Sequence, residues 1–108
     1  MTRKKIIFLG GKNVGCGCLK ALIDSGNVPA AVVVNQSDPD KGLWYSSLFA
    51  VAEAGAIPIF YFKSINSPEG VECFKKIRPD IIFSVYYDQI LGSEIIALAP
   101  LGCVNLHL

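Results

Sequence analysis

Continuous apolar runs alternate along the chain with segments whose apolar residues recur at helical spacing. Five runs are predicted to be strands, at residues 5–11, 30–35, 57–62, 80–86 and 102–107. Four segments between them are predicted to be helices, at residues 14–26, 44–55, 67–77 and 92–98. Continuous rather than alternating apolar strands are typical of a parallel sheet with helices on both faces. The order predicts an α/β fold with a doubly wound, Rossmann-like, mostly parallel sheet.

Residues with strong local preferences mark the ends of several elements. Ser67, followed by a proline and an acid, is typical of a helix start, and Gly26 of a helix end. Ser93 is a candidate cap for the last helix. Residues 36–43 contain an Asp-Pro pair and are predicted to form a loop.

Length, charge, hydropathy and cysteine content exclude several classes of protein and of site. A chain of 108 residues forms one domain, residues 1–108, and its ten basic and nine acidic residues show no cluster that suggests nucleic acid. No apolar stretch approaches the roughly 18 residues of a membrane span, and the run 6–9 is too short for a secretory signal. The four cysteines form no CxxC pair and the chain has one histidine, so no metal site is expected. Free thiols in a reducing compartment predict a cytoplasmic protein.

The first turn, GGKNVGCG, raises the question of nucleotide binding. It lacks the Lys-Ser/Thr of a phosphate-binding loop and the spaced glycine triple of a dinucleotide site. Asn35 stands where such a site would carry an acid at the end of the second strand. These mismatches oppose a nucleotide-binding Rossmann domain and favour a tight turn whose glycines permit close packing. The turn could still present backbone N–H groups to another ligand.

Two stretches near strand ends carry candidate chemistry. SVYYDQIL, residues 84–91, is either an aromatic cluster that caps the core or the wall of a site for a flat ligand. Asn105 and His107 lie two apart, so a strand places both side chains on one face, at the sheet end where this fold class keeps its sites. The imidazole can move a proton near neutral pH, and the amide can donate to an oxygen that gains charge. The pair therefore suits acyl-type transfer without a metal, and the alternative is a lone histidine at a frayed terminus.

Three motifs in order resemble a known family. They are KIIFLGG with ALIDSG behind it, RPDIIFSVYYDQIL and PLGCVNLH, at residues 5–11 with 21–26, 78–91 and 100–107. The whole chain resembles the N-terminal part of the formyltransferases that use 10-formyltetrahydrofolate, which act on methionyl-tRNA, glycinamide ribonucleotide or amino sugars. The resemblance implies an incomplete formyltransferase N-terminal domain.

The resemblance implies roles for individual residues. His107 looks like the family's catalytic histidine, which carries the proton of the attacking amine, and Asn105 looks like its partner on the formyl oxygen. The cofactor-binding residues implied for the co-substrate 10-formyltetrahydrofolate are the loop around its pterin ring and the two tyrosines before it: Tyr86, Tyr87, Gln89, Ile90 and Leu91.

The resemblance also bears on the acceptor. The tRNA-specific branch usually has a basic loop after the second strand, whereas this chain has DPDKGLWYSS, with one lysine and two aspartates. Phosphate-backbone binding needs several cations, which argues against tRNA as the acceptor. The Tyr86-Tyr87 pair and NLH look closer to the sugar N-formyltransferases, so the resemblance implies a nucleotide-linked amino sugar as the acceptor. Two alternatives stay open: a fragment of a methionyl-tRNA formyltransferase, and a non-catalytic folate-binding or interaction module.

The family continues beyond the histidine with a short loop, an Arg-Gly element and an aspartate that completes the catalytic set. The sequence stops at Leu108, where Gly, Pro or Met is commoner in the family. We therefore expect the 108-residue chain alone to be inactive, with an open sheet edge through which it could form an oligomer.

Overall fold

The computed structural model describes residues 4–35 and 48–106. Strands and helices alternate in the predicted order. The strands are β1 Ile6–Gly10, β2 Ala31–Val34, β3 Ile59–Phe60, β4 Ile81–Val85 and β5 Cys103–Leu106. The helices are α1 Lys12–Asp24, α2 Leu48–Ala54, α3 Pro68–Ile77 and α4 Ser93–Ile96.

The five strands form one parallel sheet in the order β3-β2-β1-β4-β5. This confirms the predicted α/β class and Rossmann-like topology. From β1 the chain builds outward through β2 to β3, then returns to place β4 on the other side of β1. The carboxyl ends of β1 and β4 therefore flank the point where the strand order reverses, which is where open α/β sheets usually bind ligands.

Successive side chains of the central strands point to opposite faces of the sheet and pack into two separate cores. Ile7 and Leu9 of β1 pack with residues of α3 and α4, such as Phe74 and Ile95. Phe8, between them, points to the opposite face and packs with residues of α1 and α2. All five residues of β1 are buried, because helices cover both faces of this strand.

The helix ends agree with the sequence signals in part. The hydroxyl of Ser67 accepts a hydrogen bond from the N–H of Gly70 at 3.3 Å, which confirms the predicted cap. Helix α1 begins at Lys12, two residues before the predicted start, and Gly26 follows its end in a left-handed conformation (φ 86°). The cap of α4 is Gly92 rather than Ser93, so that prediction was wrong.

The outer strands are shorter and less covered than predicted. Strand β3 consists of two residues, and β5 is half-buried at Cys103 and exposed from Val104 to Leu106. Cys103 of β5 packs against the core that includes Ile95 of α4, whereas the rest of the strand is exposed. The predicted coverage of both faces therefore holds for the inner strands but not along the whole of β5. The predicted loop 36–43 and the first residues of the predicted helix 44–55 lie outside the described residues.

Residues 4–35 and 48–106 lack two kinds of feature. None of the helices there has the length and apolar character needed to cross a membrane. No three histidine, cysteine or acidic side chains in these ranges lie close enough to hold a metal ion.

Candidate functional site

A groove of about 660 Å³ lies at the carboxyl ends of β4 and β5. Ser84 at the end of β4 and Cys103 of β5 form part of its lining, and Ile96 of α4 forms another. It also brings together five residues that the sequence singled out: Tyr87, Gln89, Ile90, Leu91 and Asn105. Its volume lies within the range typical of small-molecule sites.

Asn105 presents a carboxamide to this groove. It pairs in register with Ser84 of β4 and shares a strand face with Cys103, which also lines the groove. Asn105 is exposed, and its side-chain amide has no hydrogen-bond partner among the described residues. It is therefore available to a ligand. His107 lies outside the described residues, so the Asn105–His107 pair stays a prediction.

The two tyrosines after β4 lie on opposite sides of the sheet. Tyr86 adopts a left-handed conformation (φ 58°) and packs against the α1–α2 core. Tyr87 packs against the other core and lines the groove. Both tyrosines therefore pack against a core, and Tyr87 alone of the pair lines the groove, so its role as a ligand wall stays a prediction.

The hydroxyl of Tyr87 is a buried polar group whose oxygen has no partner among the described residues. Burial, and to a smaller extent the neighbouring Asp88 carboxylate, raises the pKa of Tyr87. The hydroxyl therefore stays protonated well above neutral pH and remains a hydrogen-bond donor.

Gln89 contributes to the groove wall, but its side-chain amide is bonded elsewhere. The Nε2 group donates to the carbonyl of Phe62 at 2.8 Å, and Oε1 accepts from the N–H of Ile65 at 2.6 Å. Gln89 therefore ties the 86–92 loop to the connection between β3 and α3. By contrast, the side chain of Ile90 is 89% exposed.

Two further amides, those of Asn35 and Asn66, bond the same loop, although no sequence pattern indicated a role there for either. The Nδ2 group of Asn35, which is 1% exposed, donates to the carbonyl of Tyr86 at 2.9 Å, and its Oδ1 accepts from the N–H of Asp88 at 3.0 Å. Asn66 donates to the carbonyl of Ile90 at 2.8 Å and accepts from the N–H of Gly92 at 2.7 Å. The one available signal was Asn35 itself, a polar residue that ends an otherwise apolar run.

The glycines of the first turn permit close packing beside this loop. A Cβ at Gly10 would collide with the carbonyl oxygen of Val85, and one at Gly11 would collide with the side-chain amide of Asn35. This supports the close-packing interpretation of the GGKNVGCG turn. The space next to Gly11 is filled by the amide of Asn35.

A second groove, of about 620 Å³, runs along α3 and is separate from the first. Phe60 and Phe62 line it, with parallel rings 6.3 Å apart, together with Cys73. None of the predicted site residues within the described ranges contributes to it, so the groove at β4 and β5 is the candidate functional site.

Comparison with known proteins agrees with this fold. No family model matches the chain. The sugar 3N-formyltransferase WlaRD, solved in the presence of dTDP and 5-N-formyl-THF, aligns over 88% of the chain at 22% identity, with a TM-score of 0.60. The N-formyltransferase from Helicobacter canadensis, in complex with folinic acid and dTDP-3-aminofucose, aligns over 85% at 23% identity and 0.59. Phosphoribosylglycinamide formyltransferase from Bacillus halodurans aligns over 96% at 14% identity and 0.71. The chain has the fold of these formyltransferases.

The aligned region is only part of each of these proteins. It covers 32% of WlaRD, 32% of the H. canadensis protein and 56% of the B. halodurans protein. The fold therefore agrees with the resemblance carried by the three sequence motifs, over nearly the whole described chain.

Proposed function

We propose that the protein belongs to the 10-formyltetrahydrofolate-dependent formyltransferases and transfers a formyl group to the amine of a nucleotide-linked amino sugar. The observation that carries this proposal is the groove at β4 and β5. Four of the five residues expected to bind the formyl donor line it together with Asn105. Residues separated in the sequence thus meet at the sheet end where this fold class binds ligands.

The lining of the groove suits a flat, polar-edged ring. Leu91 and Tyr87 supply apolar surface, and the buried hydroxyl of Tyr87 is a donor without a partner in the described part of the chain. A ligand acceptor atom would satisfy that hydroxyl, since an unpaired buried donor costs about 1–3 kcal/mol. We therefore assign Tyr87, Gln89, Ile90 and Leu91 to the formyl-donor site, with Tyr86 supporting it from the core.

The proposed chemistry needs no metal from the chain. The acceptor nitrogen bonds to the formyl carbon while the bond from that carbon to N10 breaks, which leaves tetrahydrofolate and a formamide. The Asn105 amide donates to the formyl oxygen, and His107 takes the proton lost by the amine and returns it to N10. The free thiols among the described residues suit a cytoplasmic enzyme.

A second acceptor class is favoured by a different observation. The phosphoribosylglycinamide formyltransferases align with TM-scores up to 0.71, above the 0.60 of WlaRD, although at lower sequence identity. The alternative acceptor is therefore glycinamide ribonucleotide, whose amine would undergo the same transfer.

The test is an assay of the full-length protein with 10-formyltetrahydrofolate and each acceptor in turn. We expect tetrahydrofolate release with a dTDP-linked amino sugar, and a fall of about a hundredfold or more in kcat for Asn105→Ala. Asn27→Ala, which removes an exposed amide at the end of α1, is the matched control. Transfer to glycinamide ribonucleotide alone would replace the proposed acceptor, and transfer to neither would refute both acceptors.

A further inference from the structure

The 86–92 loop connects β4 to α4 without regular secondary structure. The N–H of Tyr86 bonds to the carbonyl of Leu106 on β5 at 2.9 Å, and there the sheet pairing of this segment ends. Beyond that point the sheet offers no partners to backbone polar groups, and a group that is buried without one is costly. Side chains supply those partners here.

Three carboxamides hold this loop through six hydrogen bonds. Asn35 reaches it from the end of β2, and Asn66 reaches it from the connection between β3 and α3. Gln89 reaches from the loop back to that same connection. Each amide uses one donor and one acceptor, and a neutral carboxamide offers both at all accessible pH values.

We propose that Asn35, Asn66 and Gln89 are positioning residues that hold the 86–92 loop in the conformation that binds the formyl donor. This inference rests on the proposed function. The amides bond the carbonyls of Tyr86 and Ile90, and the N–H groups of Asp88 and Gly92. The intervening N–H groups of Ile90 and Leu91 have no partner among the described residues, beside the groove. The amide set thus fixes the loop and leaves those donors for a ligand.

The bonds of Asn66 to Ile90 and Gly92 are not explained by a need to satisfy buried polar groups. Asn66 is exposed, and the Ile90 side chain next to it is 89% exposed. Water could replace the Asn66 bonds at little cost to stability, because exposed polar groups stay hydrated when a protein partner is lost. What these bonds determine is the conformation of the loop, and with it the direction of its free N–H groups.

The test compares Asn66→Asp with Asn27→Asp in the full-length protein. Asn66→Asp keeps an acceptor for Gly92 but loses the donor to the carbonyl of Ile90, at an exposed position where folding is spared. Asn27→Asp makes the same change in an exposed amide that bonds Ser25, away from the groove. Binding of 5-formyltetrahydrofolate is measured by calorimetry, and the KM of each substrate by initial rates.

We expect Asn66→Asp to weaken binding of 5-formyltetrahydrofolate about three- to tenfold, the effect of one net hydrogen bond. The KM of the formyl donor should rise with it, while the KM of the acceptor and the urea midpoint stay near those of the wild type. Asn66→Ala, which removes both bonds, should weaken binding further. Asn27→Asp should bind like the wild type.

Three outcomes overturn the inference, and they can be told apart. If the wild type binds 5-formyltetrahydrofolate and both Asn66 variants bind it equally well, the positioning role is wrong and the proposed function stands. If the wild type does not bind this folate, the proposed function and the inference both fail. An equal rise in both KM values with a lowered urea midpoint would indicate a purely structural role and would also overturn it.

Discussion

The buried amide of Asn35 allows a sharp test, because a single atom exchange alters its chemistry without changing its shape. In Asn35→Asp the group that donates to the carbonyl of Tyr86 becomes an oxygen, and two acceptors then face each other about where a 2.9 Å hydrogen bond was. The other oxygen still accepts from the N–H of Asp88. The introduced carboxylate lies at a position that is 1% exposed.

The Asn35→Asp substitution is expected to lower the free energy of unfolding by about 3 kcal/mol at pH 8. Loss of the bond leaves the Tyr86 carbonyl unpaired, at roughly 1–3 kcal/mol, and burial of an uncompensated charge adds to this. The loss of stability is limited because the buried carboxyl can take up a proton instead of staying charged. Each unit by which its pKa in the folded state exceeds that in the unfolded state corresponds to about 1.36 kcal/mol. A domain stable by about 5–15 kcal/mol would remain folded.

The sign of the pH dependence follows from the protonated form. A neutral carboxyl can donate to Tyr86 and accept from Asp88, as the amide does. Folding therefore raises the pKa of this carboxyl above its unfolded value of about 3.9. Its stabilising effect is fully present below the unfolded pKa and is lost as pH rises through the folded pKa. The free energy of unfolding of Asn35→Asp should therefore be close to that of the wild type at pH 4, and this deficit in stability should grow toward pH 8.

Urea unfolding of the full-length wild type, Asn35→Asp and Asn35→Leu between pH 4 and 8 measures this. Asn35→Leu loses both hydrogen bonds but introduces no titrating group, so its deficit should be the same at every pH. The exposed Asn27→Asp should show almost no deficit. A deficit for Asn35→Asp that is pH-independent, or below about 1 kcal/mol at pH 8, would refute the bonding scheme.

Three further predictions concern packing and the two grooves. Gly10→Ala should destabilise the protein by more than about 1 kcal/mol, because its Cβ meets the backbone of β4. Gly17→Ala should stabilise it by about 0.5–1 kcal/mol, since nothing lies within 4 Å of the added Cβ and alanine favours the helix. Urea midpoints of the two variants measure this, and equal effects would contradict the packing. Tyr87→Phe should leave stability at pH 7 unchanged or raised, and should reduce the loss of stability above pH 10, since burial raises the pKa of that hydroxyl and its ionisation opposes folding; an unchanged alkaline profile would count against this. Burial raises the pKa of both Cys103 and Cys73, so both thiols should be alkylated slowly at pH 8. Added 5-formyltetrahydrofolate should protect only Cys103, which lines the candidate site, as mass spectrometry of each peptide would show. Protection of Cys73 instead would move the site to the α3 groove.

The sequence predicts the fold well because the elements follow from local patterns. Continuous apolar runs predict the strands of a parallel sheet, and the cap at Ser67 places α3 correctly. Asn105 reaches the candidate groove because the end of β5 lies next to the end of β4. These features depend on periodicity and connection length, which short stretches of sequence contain.

The amide contacts could not be predicted in the same way, because they join distant positions. Asn35 bonds a residue 51 positions later, and Asn66 bonds one 24 positions later. The left-handed backbone angle φ of Tyr86, where the chain leaves β4, could not be predicted either. An L-residue seldom adopts that angle, so no residue preference indicates it.

The choice of neutral amides at these positions has a physical explanation. The 86–92 loop presents both carbonyls and N–H groups to its supports, and one carboxamide can bond one of each. A carboxylate could serve only the N–H groups, and a lysine only the carbonyls. A charged group would also make the loop depend on pH and would be expensive at the buried position of Asn35. The residue that fills the place of a dinucleotide site's acid is therefore an amide because its partners are backbone groups of the chain rather than a ribose.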